Sequence, residues 1–491
     1  MKYSLFRSLL FIIVLLIAIF IAACGGGAAP GTVSSDAAAA QETDYVEETT
    51  SRPALDLPDK NFDGYKFRVL ACEKTAPGTH TQFLDFGWSI EMAGDLINDA
   101  VYMRNLMIEE RYDVEIVNNT VAGAGIGAQV QKVILAGSDE YDLVTPYMVD
   151  AMSIAQKNLL VNLYTIPYLD ITAAWWDYAL IRDLGIGNKI FFTTGDISMS
   201  DEELNYCIIF NKMLIGKYDL ADPYRLVEDN NWNLDTITQL GAAVTSDLNG
   251  DGKIDKDDML GILTSFSVAP VWFYSLGGQI AVINSDGKPE IIMNSQRNQA
   301  RVERLGVFLR NDDAVFDVSK VGGDWTKFND ILMEDRGLFR IASVYNIQLY
   351  RKMLNDFGVL PYPKMNPEQD DYYHIIATQV CQGMCVPVTS TDLSRTGIIL
   401  EALAYESKDT VTKAYYEINL YTKVTRDEES AKMFDIIFGT KRYDLCKVFN
   451  WGGLEGILPN AVQNGNFSSL YAAAETRAIT EMEKSYEFFT E

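Results

Sequence analysis

From Tyr65 onward the hydrophobic period switches back and forth between about two and about 3.6 residues, and this alternation narrows the chain to one broad architecture. YKFRVLAC alternates and then runs apolar, DLINDAVYMRNLMIEERY places Ile97, Val101 and Ile108 at helical spacing, VEIV alternates again, and YDLV follows. Strands interleaved with helices imply a parallel sheet with right-handed crossovers, so the first lobe is α/β. Ligands of open α/β sheets gather beyond the carboxyl ends of the strands. Here those loops are Glu73-Lys74 after the first strand and Thr145-Pro146-Tyr147 after YDLV. A second group begins with WWDYALIRDLGIGNKIFFTTGDIS, where a Gly-Asn turn precedes the expected strand KIFFTT and a polar bend falls at Gly195-Asp196; Trp175 and Trp176 are expected to point one inward and one outward. NYCIIFNKMLI then opens a second lobe, further helices are expected around 302–310 and 327–334, and the tail from Asp427 is largely helical.

Ahead of this body, Lys2 and Arg7 precede an unbroken apolar run that closes on small residues and Cys24, the layout of a secretory signal peptide. Ile21-Ala22-Ala23-Cys24 resembles the bacterial lipobox, in which the cysteine sulfur takes a diacylglycerol and becomes the new N-terminus; the alternative is an uncleaved membrane helix. Acyl chains bury enough methylene groups to hold a soluble body at a bilayer surface. Residues 1–23 are thus read as signal peptide and 24–60, rich in Gly, Ala, Ser, Thr and acid, as a flexible tether. The expected location is extracytoplasmic, anchored to the outer face of the cell membrane.

The formal charge of −27 argues against nucleic acid or an anionic bilayer as partner, because basic residues drive both interactions. Such a surface favours cations and tolerates a neutral ligand. Beyond Cys24 the cysteines are Cys72, Cys207, Cys381, Cys385 and Cys446, an odd number that cannot all pair. With only His80 and His374 as imidazoles, zinc is not expected, and buried cysteines are.

DLNGDGKIDKDD supplies oxygen ligands at Asp247, Asn249 and Asp251, then Gly252 for a sharp turn, Lys253 through its carbonyl, Asp255, and Asp258 at the twelfth position. This is the EF-hand ligand spacing for calcium, with Asp258 in place of the usual long bidentate glutamate; a solvated acidic turn is the alternative. A calcium here, in loop 247–258, would be structural.

Catalytic groups are scarce. Two histidines and the absence of G-x-S-x-G leave no Ser-His or Cys-His relay in view, and GAGIGA at 123–128 lacks a Walker lysine, so it reads as a loop entering a helix. Among 68 acids a glycoside-cleaving pair remains open.

AVYMRNLMIEERYDVEI, YDLV, WWD followed by IGNKIFFTTGDIS, IIFNK, SDLNGDGKIDKDDMLGI and FGVLPYPKMNPEQDDYYH, in this order from about Tyr65 to Tyr373, resemble extracellular solute-binding protein family 1, the maltose-binding-like receptors of ABC importers, in its large lipoprotein members. The resemblance implies a two-lobed periplasmic-binding-protein-like fold of type II, with a ligand cleft between lobes joined by hinge strands. It implies a first lobe of 61–195 and 377–425, a second of 196–376 and 426–491, and crossings near 194–197 and 377–388. The cleft residues implied by position are Glu73, Tyr147, Asp196, Trp272, Tyr345 and Trp451, each of which has a plain core or surface reading beside it. The function implied is capture of a small ligand, a carbohydrate first, for a membrane permease, by a monomer and without covalent chemistry. The alternatives are a surface glycoside-active enzyme and a ligand sensor feeding a histidine kinase.

Overall fold

A computed structural model describes residues 54–73, 85–87, 96–416 and 428–490. The signal peptide, Cys24, most of the tether, Lys74 and His80 lie outside the described residues.

The first sheet has the order β2-β1-β3, all parallel, built from β1 (Tyr65–Cys72), β2 (Val114–Val121) and β3 (Leu143–Val144). Tyr65 pairs with Val114, and Val69 with Leu143. The crossover helix α1 (Leu96–Tyr112) buries Ile97, Val101 and Ile108, the stripe its spacing predicts. GAGIGA itself opens α2 (Gly123–Leu135), so the helix begins at the glycines, with no intervening loop. Helix α3 (Met148–Ala155) follows β3 at once.

KIFFTT does not form a continuous strand. Thr193 instead makes a single antiparallel bridge to Met384, while Cys385 bridges Val144. A short later segment is thus inserted beside β3, held by Val144 N–H to Cys385 O and its reciprocal at 2.9 Å each.

The second sheet has the order β10-β4-β9-β5-β8. Its members are β4 (Tyr206–Asn211), β5 (Leu260–Thr264), β8 (Val315–Asp317), β9 (Gly337–Ser343) and β10 (Phe357–Leu360); a hairpin, β6 (Ala281–Ile283) with β7 (Pro289–Ile291), stands apart. β5, β8 and β9 run parallel, and β4 runs antiparallel to both its neighbours. Helices α4 (Ala269–Ser275), α5 (Gln296–Leu309) and α6 (Trp325–Met333) belong to this half.

The two segments that join the halves lie side by side: Asn205 bridges Ile376, just before β4 and just after β11 (His374–Ile375). β11 pairs in parallel with β12 (Lys441–Arg442). Helix α7 (Leu393–Ser407) packs on α1. The last helix, α8 (Phe467–Thr490), reaches back to the first half, where Phe489 and Phe488 meet Phe191 and Gln156 bonds Ser485. All five cysteines among the described residues are free and buried.

Candidate functional site

Because β1, β2 and β3 are parallel, their carboxyl ends, Cys72, Val121 and Val144, form one rim. Tyr147, at the N-cap of α3, turns its hydroxyl to the Cys72 thiol. Gly123, the first residue of α2, is a glycine for a steric reason: a Cβ there would collide with that hydroxyl and stand 3.4 Å from Cys72 Sγ. Gly127 leaves room in the same way for Asp150, whose Cγ would be 2.8 Å from a Cβ. Burial pushes the Cys72 thiol up to about 12, and the charges of Asp85, Asp150 and Glu73 add to the push. Glu73 is exposed at this edge.

Asp85 extends the rim toward the junction of the halves. Its carboxylate accepts hydrogen bonds from Ser198 Oγ at 2.6 Å and Met199 N at 3.3 Å, while burial raises its pKa to about 7. Glu203 lies near enough to raise Asp85 further, and it acts likewise on Tyr345, which follows β9 in the second half. Burial takes the Tyr345 and Tyr147 hydroxyls to about 12, so both remain neutral donors at physiological pH. Electrostatic influence therefore passes from Glu73 and Tyr147, beside Cys72, through the buried Asp85 and Glu203 to Tyr345 in the second half. No local sequence signal marked Asp85, Asp150 or Glu203, since each is one acid among 68 and only tertiary placement distinguishes it.

Asp196 sits elsewhere. It lines a cleft of about 330 Å³ with Trp175, Trp176, Glu202 and Lys441, and accepts a hydrogen bond from Thr412 Oγ1 at 2.9 Å. Burial raises its carboxyl to about 6. Lys441 Nζ there contacts Asp201 at 2.5 Å, Asp177 at 3.1 Å and Glu202 at 3.5 Å.

The two tryptophans placed at the cleft by resemblance lie in the core. Trp272 is fully buried edge-on against Phe308 and Tyr362, and its indole N–H donates to Thr264 Oγ1 at 3.1 Å. Trp451 stacks on Phe449 with centroids 4.7 Å apart and donates to Ser485 Oγ at 2.9 Å. A large apolar ring whose N–H finds an internal partner is best accommodated inside. The expected inward and outward split of Trp175 and Trp176 is corrected for the same reason: both are buried, and each donates to one oxygen of Glu401 at 3.0 Å.

In the loop 247–258 the oxygen donors close on the loop's own amides. Asp247 accepts from the backbone of Asn249, Gly250 and Gly252, Asn249 from Asp251, Asp251 from Lys253, and the buried Asp258 from Leu248 and Asp255. Gly250 and Gly252 take φ of 78° and 80°, the left-handed conformation the turns require. The donor types suit a hard cation, but among the described residues no three His, Cys, Asp or Glu side chains converge on one point.

No family model matches the sequence, and no curated protein matches it either. Solved structures do resemble the fold. A cyclo/maltodextrin-binding protein complexed with maltotetraose superposes with a TM-score of 0.55 at 12% identity, over 86% of this chain and 96% of that one. A sugar transporter from Rhizobium etli in an open conformation gives 0.55 at 12% identity, over 86% and 99%. An ABC substrate-binding protein from Listeria monocytogenes in complex with cycloalternan gives 0.51 at 13%, over 87% and 98%. The chain therefore has the two-lobed, periplasmic-binding-protein-like α/β fold.

Proposed function

We propose that the chain is the capture component of an ABC-type importer, tethered outside the cytoplasm through a lipidated Cys24, and that it closes its lobes on a carbohydrate for delivery to a membrane permease. The observation that carries this reading is the rim of Glu73, Asp85, Tyr147, Asp150, Glu203 and Tyr345, drawn from both sheets of a fold shared with structures solved around maltotetraose and cycloalternan. Sugar hydroxyls are donors that buried carboxylates accept strongly, and phenol rings offer apolar faces at small entropic cost. Such a site binds and releases; it performs no covalent chemistry. In this reading the lobes are 61–195 with 377–425, and 196–376 with 426–491, and the last helix reaches across to Phe191 of the first. The ligand spacing at Asp247, Asn249, Asp251, Lys253, Asp255 and Asp258 supports a structural calcium held by that loop. The protein works as a monomer in this account.

A melting-temperature screen of the purified protein against mono- and oligosaccharides tests the reading. At least one saccharide should raise the transition saturably, and a blank across the panel would exclude carbohydrate as the cargo.

A further inference from the structure

A cleft of about 660 Å³ opens on the second half of the molecule, between the end of α4, the first turns of α5 and the segment 365–373. It shares no lining residue with the acid and tyrosine rim. Three guanidinium groups line it: Arg297 and Arg301, one turn apart on α5, and Arg442 on β12. The chain carries a formal charge of −27, yet none of the three forms an ion pair among the described residues, although Arg442 stands near enough to Asp370 to help hold that carboxyl below its usual range. Glu368 and Asp370 also line the cleft, so it has one more cation than acids.

The arginines are held ready for a partner. Arg301 Nε donates to Leu276 O at 2.7 Å and Nη1 to Asn298 Oδ1 at 3.3 Å, which fixes the plane of the fork. Its Nη2 stands beside Gly277, at φ 76°, where a Cβ would come within 3.3 Å of it. Partial burial and the charge of Arg297 both disfavour the charged form of Arg301, a cost that an arriving anion would offset. Arg442 lies over the Tyr373 ring with Cζ 3.5 Å from the centroid, and the Tyr373 hydroxyl donates to Asp370 at 2.5 Å, so the ring beneath the guanidinium is itself fixed. Preorganised arginine forks favour anions that present two or more oxygens.

We propose that this cleft is a second binding site, selective for a small oxyanion, a phosphate or carboxylate group, held between Arg297, Arg301 and Arg442. It is separate from the carbohydrate rim and adds to the capture reading a response to an anionic solute or to an acidic group on a saccharide.

The test titrates purified protein with inorganic phosphate and with glucuronate at ionic strength held constant with chloride, reading heat and melting temperature. A saturable response to phosphate alone identifies free phosphate as the source; a response to glucuronate alone identifies the carboxylate of an acidic sugar; either supports the site. Arg442→Gln should weaken that binding about 10-fold or more, as expected for loss of one charge-assisted contact, and Arg297→Gln with Arg442→Gln should abolish it. The melting temperature of each variant without ligand checks its fold. No saturable response to either anion, or undiminished binding by the double variant, overturns the proposal. Neutral saccharides run in parallel report on the rim, so failure of the capture reading shows itself separately.

Discussion

Two acidic regions flank the junction of the halves, and they are neutralised differently. On one side Asp177, Asp201 and Glu202 surround Lys441 within ion-pair distance, a buried cation among three carboxylates. On the other, Asp85 and Asp150 form no ion pair among the described residues; the Asp85 carboxylate is held by a hydroxyl and an amide, with the buried Arg104 guanidinium bonded to its backbone carbonyl, and burial keeps both carboxyls above their ordinary range. The first region is tied together by one cation, and Glu202 and Lys441 also line the cleft that holds Asp196. The second has no such counter-cation: hydrogen bonds to both oxygens hold Asp85, and Asp150 lies beside Gly127. The loop 247–258 is a third case, in which the acids are met by their own backbone amides.

Lys441→Met should destabilise the protein most. It strands two buried carboxylates, Asp177 and Asp201, and the half-buried Glu202, and should cost about 3–5 kcal/mol of stability by chemical denaturation. Asp85→Asn should cost far less, because the amide oxygen still accepts from Ser198. Comparable losses would remove the distinction between the two regions.

Calcium sharpens the third case. At about 100 times its dissociation constant a cation bound only by the folded state adds about 2.7 kcal/mol. Millimolar calcium should raise the melting temperature of the wild type, chelator should reverse it, and Asp251→Ala should abolish the shift; no shift would leave the loop a hydrogen-bonded turn.

Glu401→Gln comes next, at about 1–3 kcal/mol, since it weakens the shared acceptor of two buried indoles and places an amide N–H against one of them. The smallest effect is on pH dependence, where the two regions differ in sign. Burial raises Asp85 to about 7, above an unfolded value near ~3.9, so its contribution to stability is full at low pH and is lost as pH rises from about 4 to about 7, by at most ~1.4 kcal/mol per pH unit. Asp177, although burial opposes it, is held below the usual carboxylate range by Lys441 and its hydrogen bonds, so its contribution is present above ~3.9 and is lost as pH falls further. Denaturation midpoints measured from pH 3 to 8 should show a flatter slope between about 4 and 7 in Asp85→Asn than in the wild type.

Much of the framework was legible in sequence because period alone specifies it: YKFRVLAC, the Ile97, Val101 and Ile108 stripe and YDLV became β1, α1 and β3. KIFFTT looked equally strand-like, but Thr193 meets only the inserted segment at Met384, and a partner 191 residues away leaves no local trace. Tyr147 does lie at the carboxyl edge of the first sheet, beside Cys72, as its position after β3 implies. Trp272 and Trp451 misled because neighbouring glycines suggest loops, whereas Thr264 and Ser485, which satisfy their indoles inside, cannot be paired with them by reading along the chain. Asp85 and Glu203 gave no signal, since an acid acquires its role from what surrounds it.

The central claim, that the rim spanning the two sheets is the binding site, is tested most directly by calorimetric titration of the best saccharide from the screen into the wild type, Asp85→Asn, Tyr147→Ala and, as a control outside the rim, Glu401→Gln. The account predicts that each rim substitution weakens binding about 10-fold or more while Glu401→Gln binds as the wild type does. Undiminished affinity in both rim variants would contradict it.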